Sequence, residues 1–463
     1  MIILRKEIAL PLAAIIILIL SIIENRTECY YCWFLIVFYL FIYWGKIGLY
    51  KYLDSTCVFF IAFLTFVRYL IIPLLIILDN EYMTYSPLGL GMNGNYFYKG
   101  FYLTVWELLL FGLFINRKLP KWYYNNTNNA SIKWSKTHFT TWIILITGLL
   151  GLLYINPSIL QDYSFVINLK PDETIAQEYI PKGLTETIST IASRVLKIVI
   201  PIPIVSLFYK RYNQNHSIVN FYISIIVLAF FYAFIIEGNS RNTIIIPAVA
   251  VLFILLRLYP QYRKTTLSTL VTVILLIAIL SLIWKSFAGD FSTAKESSFS
   301  YWISYIESYF AGFSNMGKAV SAYQNSDMFI NPIIAFNDLA RNVPFLNSLV
   351  DNTNTASYYY VMTWGRSDQV IPATGNGLFY FSYILAPVVS MMILCLGHYF
   401  EKRMHNSISV PEYIIYCYSS IVISYNMFNS VSTMMMKLSI TLLPLLFVLY
   451  LSKKINKISY NHI

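Results

Sequence analysis

Lys285 to Asn376 is the one long polar interval in this chain. It ends Trp364-Gly365-Arg366-Ser367-Asp368-Gln369-Val370-Ile371-Pro372-Ala373-Thr374-Gly375-Asn376-Gly377, and apolar sequence then resumes. The whole sequence is 57% hydrophobic and only 12% charged. A soluble domain carries about 25% charged residues, so the charges here are too few to coat a water-facing surface. The interval therefore reads as a cap over a membrane domain.

A membrane-spanning helix needs about 20 mainly apolar residues. Twelve runs qualify as candidates: Glu7–Ile23, Tyr30–Trp44, Thr56–Leu78, Tyr98–Ile115, Phe139–Ile155, Thr187–Phe208, Ile218–Ile236, Thr243–Arg257, Leu267–Trp284, Leu378–Tyr399, Tyr413–Met427 and Met434–Leu451. Irregular backbone cannot face lipid, so each run must close its hydrogen bonds as a helix. The expected fold is all-α and polytopic, with about 12 transmembrane helices. Residues 1–284 hold helices 1–9, residues 285–376 the large loop, and residues 377–463 helices 10–12.

The net charge of +11 invites a nucleic-acid partner. The positions of the charges argue against it. With the N-terminus cytoplasmic, every inside segment is basic, from Arg5 and Lys6 through Lys402 and Arg403 to Lys453, Lys454 and Lys457. The outside turns are acidic, balanced or uncharged, as at Asp79–Glu81 and Phe428–Thr433. This alternation follows the positive-inside rule and places both termini in the cytoplasm. Arg5 and Lys6 precede an apolar run without a small-residue cleavage site, so that run reads as a retained helix. Cys29 and Cys32 form a C-x-x-C without further metal ligands nearby, and read as helix-boundary thiols.

A second outside segment runs from Asn156 to Glu186. Within the large loop, Trp302, Tyr305, Tyr309 and Phe313 follow helical spacing, a face suited to the membrane interface. A short helix is expected from Asn331 to Arg341, stopped by Pro344.

Several cations sit where the inside bias disfavours them: Arg68 within the third run, Arg194 and Lys197 one turn apart, Arg241, Lys285, Arg366 and Lys437, with Arg341 in the large loop. Such a set suggests an anionic ligand, and arginine suits phosphate because its planar fork donates two charge-assisted hydrogen bonds. The plainer reading pairs Arg241 with Glu237, Arg366 with Asp368 and Arg341 with Asp338, and makes Arg68 a buried strut. Of the loop acids Glu307, Asp338, Asp351 and Asp368, one beside a basic pocket could act as a general base; the plainer reading is solvation and capping. All five histidines fall near the cytoplasmic side, so an outward site works without them. The outside acids lack metal-ligand spacing, so no metal or other cofactor is expected.

This layout resembles the O-antigen polymerase (Wzy) class of bacterial envelope enzymes. The resemblance covers the arrangement of spans and the large outer loop. It rests also on Gly365–Tyr380 at the loop's end and on Gly238-Asn239-Ser240-Arg241 before an apolar helix. It implies a metal-independent glycosyltransferase of the membrane-embedded C type in the bacterial inner membrane. Such an enzyme joins undecaprenyl-pyrophosphate-linked oligosaccharide repeat units into O-antigen or capsule-type polysaccharide. A chain-length regulator and a flippase are the implied protein partners. Arg241, Arg366, Asp368 and Asp338 are then the candidate catalytic residues. Arg194, Lys197, Arg341 and Lys285 would bind substrate phosphate, and Trp302, Tyr359 and Trp364 would stack on sugar. The rivals are a flippase or transporter of the same lipid-linked units and an O-antigen ligase. The ligase is less similar, because it relies on a histidine in its large loop and this loop has none.

Overall fold

The computed structural model describes residues 29–43, 55–78, 95–125, 136–165, 183–237, 242–268, 303, 306–307, 310–326, 331–364 and 371–460. The first span, most of the ninth, Arg241, Lys285, Trp302, Tyr305, Tyr309, Arg366 and Asp368 lie outside them.

The described chain is helical apart from one small ribbon. Its helices are α1 (Cys29–Tyr43), α2 (Thr56–Leu78), α3 (Asn95–Asn125), α4 (Lys136–Tyr154), α5 (Leu184–Asn215), α6 (Ile218–Phe234) and α7 (Asn242–Leu258). Within the polar interval follow α8 (Phe313–Asn325), α9 (Pro332–Ala340) and α10 (Ala356–Trp364). After it come α11 (Ala373–Leu385), α12 (Val388–His405), α13 (Val410–Tyr425) and α14 (Val431–Ile455). Strands β1 (Tyr163–Phe165) and β2 (Ile235–Glu237) pair antiparallel, with Tyr163 opposite Glu237.

Three of these helices, α2, α5 and α14, are long and apolar enough to cross a membrane among the described residues. The α11–α12 pair makes a fourth if it counts as one span. Among the described residues, Tyr31–Leu40, Phe139–Tyr154, Ile218–Phe234 and Ile246–Leu258 are shorter apolar helices. The tenth run differs in shape. Leu378–Tyr399 is not one rod but two helices meeting at 111°. Ser382 breaks the first at φ 62°, and Pro387 opens the second. The returning chain brings the Ala386 carbonyl against Gly377, where an added Cβ would lie 2.0 Å from its oxygen. Glycine is the residue that admits this approach.

Proline also shapes α2 and α14. Each contains a π turn, Val67–Ile71 before Pro73 and Lys437–Leu442 before Pro444. A proline cannot donate to the carbonyl four residues back and its ring crowds that carbonyl. The helix absorbs the defect as a wider turn.

The polar interval folds in part onto the apolar helices. Helix α8 packs against α3 and buries Met316, Ala319, Val320 and Ala322 completely. Gly100 and Gly317 meet backbone to backbone, since a Cβ on Gly100 would lie 2.4 Å from the Gly317 nitrogen. Small residues at such crossings let helices approach closely. The expected short helix is present as α9, capped by Asn331 accepting from the Ile333 N–H at 2.9 Å.

The polar contacts sort toward two ends. At one, Glu401 accepts from the Ser55 hydroxyl and from the Cys57 N–H at 3.1 Å. Lys453 pairs with Glu412 there, and Tyr259 bonds Ser224 at 2.6 Å. At the other, the β1–β2 ribbon forms and Asn376 reaches the start of α14.

Candidate functional site

The first turns of α11 organise the site. Pro372 has the extended conformation of an N-cap, and Ala373 to Tyr380 are buried. Thr374 points one way. Asn376 and Tyr380, four residues apart and so on one helical face, point another. Each direction meets a buried carboxylate.

Asp338 lies on the Asn376–Tyr380 side and is fully buried. Its Oδ2 accepts from Tyr380 Oη at 2.8 Å, from Asn376 Nδ2 at 3.2 Å and from the Ala356 N–H at 3.2 Å. These contacts tie α9 to α10 and α11. Asn376 Oδ1 in turn accepts from the Val431 N–H at 3.2 Å, which adds α14. The other oxygen, Oδ1, has no hydrogen-bond partner among the described residues. Burial raises the Asp338 carboxyl from 3.8 to about 6, against the pull of its donors and of Arg341 one turn on. Arg341 is half-buried and acts on Asp338 through charge rather than an ion pair. The plainer readings of Asp338, an ion pair with Arg341 or solvation and capping, do not describe a fully buried carboxylate with three donors on Oδ2. A structural tie accounts for that oxygen. It leaves Oδ1 unexplained, because a buried polar atom without a partner is costly.

Glu107 of α3 lies on the Thr374 side. Arg68 Nη2 is 2.9 Å from its Oε2, and both side chains are fully buried. Tyr69 donates to it at 2.8 Å, Ser390 at 3.0 Å, and the Thr374 hydroxyl also donates. The Arg68 guanidinium lies 4.2 Å from the centre of the Phe428 ring. The strut reading of Arg68 holds. Its partner Glu107 was not anticipated, although it is the one acidic residue within the run Tyr98–Ile115. A carboxylate inside an apolar run calls for a partner, and Arg68 in another such run was the available one.

The remaining expected residues separate. Arg194 is buried and Lys197 half-buried on one face of α5. Helix α5 packs on the π turn of α14, just past the turn that α9 touches. Tyr359 is half-buried, its ring parallel to Phe379 at 6.1 Å, so one face is already covered. Trp364 ends α10. Among the other loop acids, Glu307 accepts from the Ser314 N–H at 2.8 Å in the first turns of α8. Asp351 forms an exposed turn with Thr353, whose N–H and hydroxyl donate at 2.9 Å and 2.6 Å. Glu307, buried, matches the capping reading, and Asp351, exposed, the solvation reading. Among the described residues no group of three His, Cys, Asp or Glu side chains could hold a metal ion.

No family model, no curated protein and no solved structure matches the chain.

Proposed function

We propose that the chain is a membrane glycosyltransferase that polymerises undecaprenyl-pyrophosphate-linked repeat units, with Asp338 as its general base. The observation that carries this is the Asp338 carboxyl: one oxygen fixed by three donors, the other without a partner among the described residues, and a pKa raised to about 6. A base poised near neutrality is what proton abstraction from a sugar hydroxyl requires. The acceptor hydroxyl attacks the anomeric carbon of the growing chain and gives its proton to Asp338 Oδ1. The bond from that carbon to the pyrophosphate oxygen breaks, and undecaprenyl pyrophosphate leaves. Arg341, with Arg241 and Arg366, stabilises the charge that develops on it.

The two-ended arrangement of polar contacts supports the expected sidedness. Segments assigned to the outside pair with each other, Tyr163 with Glu237 and Asn376 with Val431. Segments assigned to the inside, around Ser55, Glu401, Glu412 and Lys453, do the same. One observation favours a carrier of the same lipid-linked units instead: the broken α11–α12 pair, because transporters build substrate sites from discontinuous helices. Deleting the gene separates the readings. Loss of a polymerase leaves single repeat units on the cell surface, and loss of a flippase leaves none. Complementation with wild type should restore long chains, and Asp338→Asn should leave single units despite normal protein levels. Long chains from Asp338→Asn would remove Asp338 as the base.

A further inference from the structure

Helix α9 buries both of its polar side chains together with Ile334 and Ala340, and leaves a second apolar stripe on its outer face. Asn337 and Asp338 point into the protein, at 3% and 0% exposure. Ile333, Phe336 and Leu339 form the outward stripe and are 59%, 48% and 42% exposed. Apolar surface continues past the helix through Phe345, Leu346 and Leu349. A helix bordering water turns its apolar stripe inward and its polar stripe outward. A contiguous exposed apolar patch marks a protein-binding or membrane-binding face.

Three observations choose the membrane. Helix α9 packs on the first turns of α14, one of the membrane-length helices, and Asn342 Nδ2 fastens the connection to Ser432 Oγ at 2.6 Å. The patch is thus fixed at the end of an apolar rod. Nine residues of helix make a rod of about 14 Å, too short to cross a bilayer and suited to lie along its surface. Arg341 follows the helix, half-buried and in no ion pair among the described residues, which places a cation where lipid phosphates would meet it.

We infer that α9 is an interfacial helix whose Ile333–Phe336–Leu339 stripe, continued by Phe345 and Leu349, lies among the acyl chains of the bilayer, with Arg341 at headgroup level. Asp338, on the opposite face, then sits at the depth where a lipid-linked substrate carries its phosphates and first sugar. The inference rests on the membrane character of the chain and stands apart from its sugar chemistry.

The test places photoreactive p-benzoylphenylalanine at Phe336 or Leu339. The full chain is reconstituted in vesicles of phosphatidylethanolamine and phosphatidylglycerol, irradiated and analysed by mass spectrometry. Both sites lie on the exposed stripe, so the fold is retained, and an unchanged unfolding temperature in detergent verifies this. The expected result is phospholipid adducts at both sites and none from the same residue at Asn352, in the exposed polar turn. Absence of lipid adducts would overturn the inference, as would cross-links to a second copy or another protein, or equal lipid adducts at Asn352.

Discussion

Asp338 concentrates the tension between stability and chemistry. Burial lifts its carboxyl from 3.8 to about 6. The folded chain therefore binds this proton more tightly than the unfolded chain does. Its contribution to stability is fully present below pH 3.8 and is lost as pH rises through about 6. At neutral pH the ionised carboxylate costs about 3 kcal/mol relative to the unfolded chain. A residue kept at such cost is a candidate for function, because strain and misfit collect at working sites. Asp338→Asn keeps the shape and removes the charge. Its unfolding temperature in detergent should equal or exceed that of wild type at neutral pH. The wild-type loss of stability between pH 4 and 6 should shrink in the variant. A variant markedly less stable at neutral pH would show that the ionised carboxylate is a structural tie and no more.

At the scale of elements, the first turns of α11 join helices distant in sequence. Thr374 meets the Arg68–Glu107 pair of α2 and α3, and Asn376 and Tyr380 meet Asp338 of α9. Removing one member of a buried pair leaves an uncompensated charge, at a cost of about 3–5 kcal/mol, whereas replacing both by neutral groups is often tolerated. Glu107→Gln alone should therefore lower resistance to dodecyl sulfate unfolding sharply, and Arg68→Met with Glu107→Gln should recover most of it. Equal loss in the single and double variants would mean that the pair's hydroxyl partners, rather than its charge balance, hold these helices. Part of this site was legible in the sequence. The short helix around Asp338 and Arg68 inside an apolar run stand out by residue type, whereas Ala373–Gly377 reads as the end of the loop and is in fact the start of α11. The convergence of Glu107, Thr374 and Ser390 does not stand out, because hydroxyls and one acid inside apolar runs carry no mark of which neighbour they face.

For the whole molecule, helix content was the most legible property, since long apolar runs leave the backbone little else to form. Thr56–Leu78 runs the full length of the expected third span, and Thr187–Phe208 lies inside the longer α5. The break within Leu378–Tyr399 was not legible, because it depends on Ala386 folding back onto Gly377 rather than on local composition. Nor was the burial of α8, whose polar residues suggested a cap while Gly317 and its neighbours were packing against α3. Sidedness is the property on which the proposed function turns, because that proposal needs the site at the outer face of the membrane and the basic loops, by the positive-inside rule, at the inner one. Asn352, beside the Asp338 end, and Lys454, at the Glu412 end, are both exposed and should lie on opposite sides of the membrane. In intact cells an impermeant maleimide should label Asn352→Cys above the wild-type background. Lys454→Cys should react only after the membrane is permeabilised. Labelling of both positions in intact cells would put the two ends on one side, and a cap over an outward site could not then be built from α9 and α10.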